Sequence, residues 1–149
     1  MFSVCSVEIL AQEKDRRLLA NAIDNHSFVF YAQWVTAYNG ARRQLTPPYE
    51  LLVTSDSVRC FLPFLGRMYT VPTPEELRFM SIDFISKKFS YEQQKKSKPG
   101  WDFTIRPSDV RNVRDLHFRI SEGGWTTLTI RSPGRDRVSY EGVTESIPR

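Results

Sequence analysis

The chain has 149 residues, 40% of them aliphatic or aromatic and 26% charged. That is enough for one domain with a core of its own, and it is unlike a disordered or collagen-like composition. The net charge of +4 comes from bases and acids interspersed along the chain, two cysteines cannot make a disulfide framework, and no run of about 18 apolar residues is present to cross a bilayer as a helix.

The opening "MFSVCSVEILAQ" has an apolar run interrupted at Glu8 and no basic segment before it. It reads as a poor signal peptide or as the remnant of one that starts upstream. Residues 1–12 are therefore set apart as a leader remnant, the mature chain is expected to begin near Gln12, and 13–149 form a single β-rich domain. The stretch "EKDRRLLANAIDN" (13–25) predicts a helix, with Leu18, Leu19, Ala22 and Ile23 on one face and Asp24-Asn25 as its stop. In "HSFVFYAQWV", Phe28, Phe30, Ala32 and Trp34 alternate with Val29, Tyr31, Gln33 and Val35, and the β-branched and aromatic density favours a strand. "NGARRQLTPP" reads as a loop, and residues 49–54 and 58–64 as two strands about a Ser-Asp-Ser turn at Asp56.

Residues 73–96 give conflicting signals. Thr73-Pro74-Glu75-Glu76 is a helix-start pattern, and Leu77, Met80, Phe84 and Ile85 would then line one face. Against it, "FSYEQ" has strand character, and Ser81 and Asp83 interrupt any long helix. The C-terminal third is plainer. "WDFTIR", "LHFRIS", "WTTLTIR" and "RVSYEGV" are short alternating runs, separated by turn chemistry at 107–115, Glu122-Gly123-Gly124 and Pro133-Gly134. Strands joined so closely must be antiparallel. Trp101, Phe103 and Ile105 are expected to face the core from the first of them.

The order of these pieces resembles the bacterial family known as domain of unknown function 4251, small exported proteins found mainly in Bacteroidetes. Phe28, Phe30, Ala32 and Gln33 match its opening "F-x-F-x-A-Q", and Gly40, Arg43 and Leu45 its "G-x-x-R-x-L". Leu62-Pro63-Phe64-Leu65-Gly66-Arg67-Met68-Tyr69 is similar to "L-P-Y-F-G-R-A-Y". Gly100, Trp101, Ile105 and Pro107 follow further on, then Thr127, Leu128, Ser139, Tyr140 and Gly142. Pro72-Thr73-Pro74-Glu75-Glu76 stands where the family has a small Gly-rich loop. The resemblance implies a fold and an exported, periplasmic or cell-envelope address, not a reaction. It also implies a pair of strands after the tyrosine, which assigns 77–92 to β against the capping signal.

Within "RCFLPFLGRMYTVP", Pro63 cannot donate to a ladder and so implies an edge strand or a bulge, with Gly66 supplying a bend. Arg67 can lay its stem along apolar surface, and a bulge that re-aims side chains makes Arg67 and Tyr69 the candidate ligand-binding residues.

No catalytic motif is present. His26 and His117 are far apart, without zinc spacing, and a Cys-His pair would have to draw on Cys5 or Cys60, the latter inside an apolar run. Asp56, Asp83, Asp102 and Asp109 are scattered carboxylates that only the fold could pair. Lys87, Lys88, Lys95, Lys96 and Lys98, with Arg106, Arg111, Arg114 and Arg119 among aromatics, resemble a single-strand binder, but the lysine run equally suits an exposed hairpin tip that discourages edge pairing.

The expected fold is mainly β: one antiparallel sheet of about seven to nine strands, curled into an open barrel or two-layer sandwich, with an N-terminal helix. The expected function is a non-catalytic binding or interaction module of the bacterial cell envelope, with no cofactor and no metal. The alternative is a carrier of a small apolar ligand in the barrel interior, with nucleic-acid binding or hydrolysis more distant. The partner would be an envelope protein or that apolar ligand.

Overall fold

The computed structural model describes residues 2–46, 49–63, 81–93 and 99–147. Its helix α1 (Phe2–Asp24) is longer than expected and runs without a break through the residues read as a leader. Ten strands follow among the described residues: β1 (Phe28–Thr36), β2 (Arg42–Gln44), β3 (Glu50–Val53), β4 (Val58–Pro63), β5 (Ser81–Ser86), β6 (Phe89–Gln93), β7 (Trp101–Pro107), β8 (Asp115–Ile120), β9 (Trp125–Arg131) and β10 (Val138–Ser146). They form one antiparallel sheet in the order β5-β4-β3-β1-β10-β9-β8-β7-β6, with β2 added alongside β1. The sheet curls into a nearly closed barrel, and the expected class holds.

The residues expected as a loop after β1 contain β2, in a hairpin closed by Ala37 N–H donating to Ala41 C=O at 2.8 Å, with Gly40 at φ 90°. Gly40 supplies the left-handed conformation that a tight reversal needs.

The two ends of the strand path, β5 and β6, are neighbours in sequence, separated only by Lys87-Lys88. Every step along the path is antiparallel, so β5 and β6 run the same way and do not pair with each other. One descending segment takes β4 as partner in its first half and β7 in its second. The strands expected here are present over 81–93, but not as a hairpin, because two residues that do not reverse the chain cannot form one. The helix-start pattern at 73–76, with Leu77 and Met80, lies outside the described residues. Phe84 and Ile85, its supposed common face, point to opposite sides of β5, Phe84 buried and Ile85 54% exposed.

Asp109 fixes that corner. Its carboxylate accepts hydrogen bonds from the Ser86 hydroxyl, from Lys87 N–H at 2.8 Å and from Lys88 N–H at 3.2 Å. These bonds hold its carboxyl below the ordinary carboxylate range, the Ser86 hydroxyl contributing most.

The strict alternation expected for β1 breaks at Gln33. The register slips between Ala32 and Trp34, so Val35 takes the inward position and Trp34 turns outward. The cause lies across the ladder at Gly142, where an added Cβ would sit 1.9 Å from the Tyr31 carbonyl oxygen. The two backbones approach too closely for any side chain there, and β1 bulges around the contact.

The interior is filled by rings. Phe103 and Phe118 stack at 4.9 Å, Tyr91 lies on Phe103 at 4.7 Å, and Phe28 meets Phe103 and Phe118 edge-on at 5.7 Å each. Leu19, Ala22 and Ile23 of α1 are buried in the same core. The helix ends in a paired cap: Ser27 N–H donates to Ala22 C=O at 2.8 Å and His26 N–H to Ile23 C=O at 3.1 Å, with His26 at φ 53°. As expected, Phe103 and Ile105 face the core; Trp101 is half-buried against it.

Candidate functional site

Arg67 and Tyr69, the ligand-binding candidates, and the bend residue Gly66 lie outside the described residues. Pro63 does not mark an edge strand, since β4 is flanked by β3 and β5. It is tolerated because it is the last residue of β4 and, among the described residues, pairs with Ser81 alone, two places beyond the Glu50–Phe61 pair that begins the β3 ladder. Its carbonyl accepts a 2.6 Å hydrogen bond from the hydroxyl of Tyr140, a fully buried side chain of β10. Burial holds that phenol well above its ordinary pKa, so it donates at any physiological pH.

The four scattered carboxylates go to separate places. Asp56 accepts from Thr54 and Ser55 in the β3–β4 turn, Asp83 is exposed on β5, and Asp109 holds the corner. Asp102, on the outer face of β7, meets His117 Nε2 at 2.6 Å and Arg119 Nε at 3.6 Å. Register explains this cluster: Asp102 pairs with Arg119 and Thr104 with His117, so the histidine is Asp102's diagonal neighbour. No two of the four carboxylates share a hydrogen-bond partner among the described residues. Cys60 is buried, its thiol pushed up by burial with Asp83 adding to the shift, and it donates weakly to Ile82 C=O at 3.8 Å. A thiol held protonated in the core is a packing group, not a nucleophile.

The aromatics that suggested base stacking are committed to the interior or packed against it: Phe103 and Tyr91 in the ring stack, Trp101 and Phe89 against the core. Arg106 pairs with Glu92 and Arg119 with Asp102, while Lys95, Lys96 and Lys98 lie outside the described residues.

Two surface features remain. A groove of about 570 Å³ runs outside the barrel between α1 and the end of β10, lined by Asp15, Leu18, Leu19, Glu122 and Glu145 among others. The second is apolar. On the outer face of β3–β5, Tyr49 stacks on Phe61 at 5.7 Å, and Phe61 and Ile85 stay 45% and 54% exposed. Arg59 pairs with Ile85 and Asp83 with Phe61, so the two apolar side chains sit diagonally between a cation and an anion. Outward position was legible in the alternation of "VRCFLP"; the meeting of Phe61 with Ile85 was not, because it needs the β4–β5 register.

A family model described as Domain of unknown function (DUF4251) matches residues 11–144. A search of curated proteins finds no match. Among solved structures, the chain is similar to the crystal structure of a DUF4251 family protein from Bacteroides eggerthii DSM 20697, with a TM-score of 0.70 at 13% identity, covering 92% of this chain and 91% of that one. That likeness shows the fold.

Proposed function

We propose that this chain, which belongs to the family described as Domain of unknown function (DUF4251), is a non-catalytic interaction module of the bacterial cell envelope that engages a protein partner through the outer face of β3, β4 and β5. The observation that carries this reading is the placement of apolar side chains. The interior is occupied by Phe28, Phe30, Phe103, Phe118 and Tyr140, while Phe61 and Ile85 stand exposed together on the outside. A carrier would need space where those rings are. An interaction module needs an apolar centre with a polar rim, and Arg59 and Asp83 supply the rim. The envelope address rests on the family's exported character, and the non-catalytic reading is supported by the buried Cys60 thiol and the separated carboxylates.

The test is site-specific photo-crosslinking in the native host, from position 85 and, as control, from position 129 on the outer face of β9. A discrete adduct from position 85, absent from 129 and lost on Phe61→Ser, is expected, with the chain in the envelope fraction. Equal adducts from both positions, none from either, or a cytoplasmic chain would overturn the reading.

A further inference from the structure

One end of the barrel concentrates positive charge. β1, β7 and β9 finish there, and β8 and β10 begin there, so the β1–β2 hairpin, the 108–114 loop and the 132–137 loop share one rim. The Lys87-Lys88 corner joins them through Ser108 N–H, which donates to Lys88 C=O at 2.8 Å. Together, residues 37–44, 86–88, 108–115 and 131–141 hold nine Lys or Arg against four Asp or Glu. That surplus exceeds the net charge of +4 on the whole chain, so the rest of the protein is slightly acidic.

The four acids of these described segments are already engaged. Asp115 is buried under a two-bond clasp from Arg131 (2.9 and 2.6 Å), Glu141 meets Arg42 at 3.3 Å, Asp109 holds the corner amides, and Asp136 is buried. Arg43, Arg111, Arg114 and Arg137 have no ion-pair partner among the described residues. At the hairpin tip Tyr38 is 60% exposed, with the Arg137 guanidinium 5.8 Å from its ring centre. Guanidinium groups match phosphate oxygens in pairs, and an exposed tyrosine suits a boundary between polar headgroups and acyl chains.

We infer that this arginine-rich rim docks on a surface of phosphate-bearing lipid headgroups. The cations are spread over loops around one end of a barrel, which suits a plane. A single nucleic-acid strand would need successive stacking platforms, and among the described residues of this rim Tyr38 stands alone, since Arg42 covers the Trp34 ring at 4.0 Å. This inference does not depend on the partner face at Phe61 and Ile85, because it is read with purified protein and vesicles alone.

The experiment is co-sedimentation of the full chain with phosphatidylcholine vesicles, with and without phosphatidylglycerol, over a salt series. Binding only to the anionic vesicles, weakening as salt rises, is expected. Replacing Arg43, Arg111, Arg114 and Arg137 by Gln should weaken it on the order of a thousandfold, and Arg43→Gln with Arg137→Gln should give a smaller loss in the same direction. A control variant with Arg16, Arg17, Arg59 and Arg106 changed to Gln should retain binding. No binding to anionic vesicles, equal loss in rim and control variants, full competition by inorganic phosphate alone, or preference for a single-stranded oligonucleotide at physiological salt would each overturn it.

Discussion

His26 and Tyr91 stack with their ring centres 3.9 Å apart and their planes 20° apart, tying the end of α1 to strand β6. The contact extends the stack of Tyr91, Phe103 and Phe118 out of the barrel, so the helix cap and the core share one column of rings.

His26 stands at the position after a helix where glycine is usual, at φ 53°, and carries the strain of a side chain there. His26→Ala should keep that strain and lose the stack, costing about 0.5–1.5 kcal/mol. His26→Gly loses the stack but relieves the strain, so it should destabilise less than Ala. Urea melts of both variants check the order; a glycine variant less stable than the alanine one would show that strain at this residue is negligible.

Gly142 tolerates no substituent. A Cβ there would meet the Tyr31 carbonyl oxygen at 1.9 Å, and the obstacle is backbone in the middle of the sheet. Gly142→Ala should therefore cost more than about 3 kcal/mol or abolish soluble folding. Gly123→Ala, with nothing within 4 Å, should change stability by less than about 0.5 kcal/mol. Thermal melts by circular dichroism distinguish them, and equal effects would refute the close approach.

The C-terminal hairpins were legible because alternation and turn residues there agree, each strand carrying its own signal. The bulge at Gln33 was not, since its cause is a glycine more than a hundred residues away. The exchange of partners at Lys87-Lys88 was not legible either, because it depends on Asp109 arriving from the far end of β7. At the candidate surface, outward residues could be read off parity. The diagonals that join Phe61 to Ile85 and Asp102 to His117 required the register.

Tyr140 anchors β10 to the end of β4 across the interior. Removing its hydroxyl leaves the half-buried Pro63 carbonyl without that donor, so Tyr140→Phe should cost about 1 kcal/mol despite keeping the ring. Denaturant melts test this; a neutral substitution would mean that another donor reaches the carbonyl.

Asp109 makes the seam of the barrel sensitive to acid. Its carboxyl is held below the ordinary range by the Ser86 hydroxyl first and the Lys87 amide next, so the folded state prefers the ionised form. A group depressed on folding contributes stability that is fully present above its unfolded pKa of roughly 3.9. That contribution fades as pH falls through the lower, folded value. Asp109→Ala removes the acceptor for the Lys87 and Lys88 amides and for the Ser86 hydroxyl together. The melting temperature of the native chain should exceed that of Asp109→Ala by a constant margin from neutral pH down to about 5. The margin should narrow only below about pH 4. Hydrogen exchange gives the local readout: the Lys87 and Lys88 amides should be protected in the native chain and fast in the variant at neutral pH, with amides in the middle of β9 unchanged. A margin that vanishes by pH 5, or protection of the corner amides that survives the substitution, would show that something other than the Asp109 carboxylate joins β5 to β6.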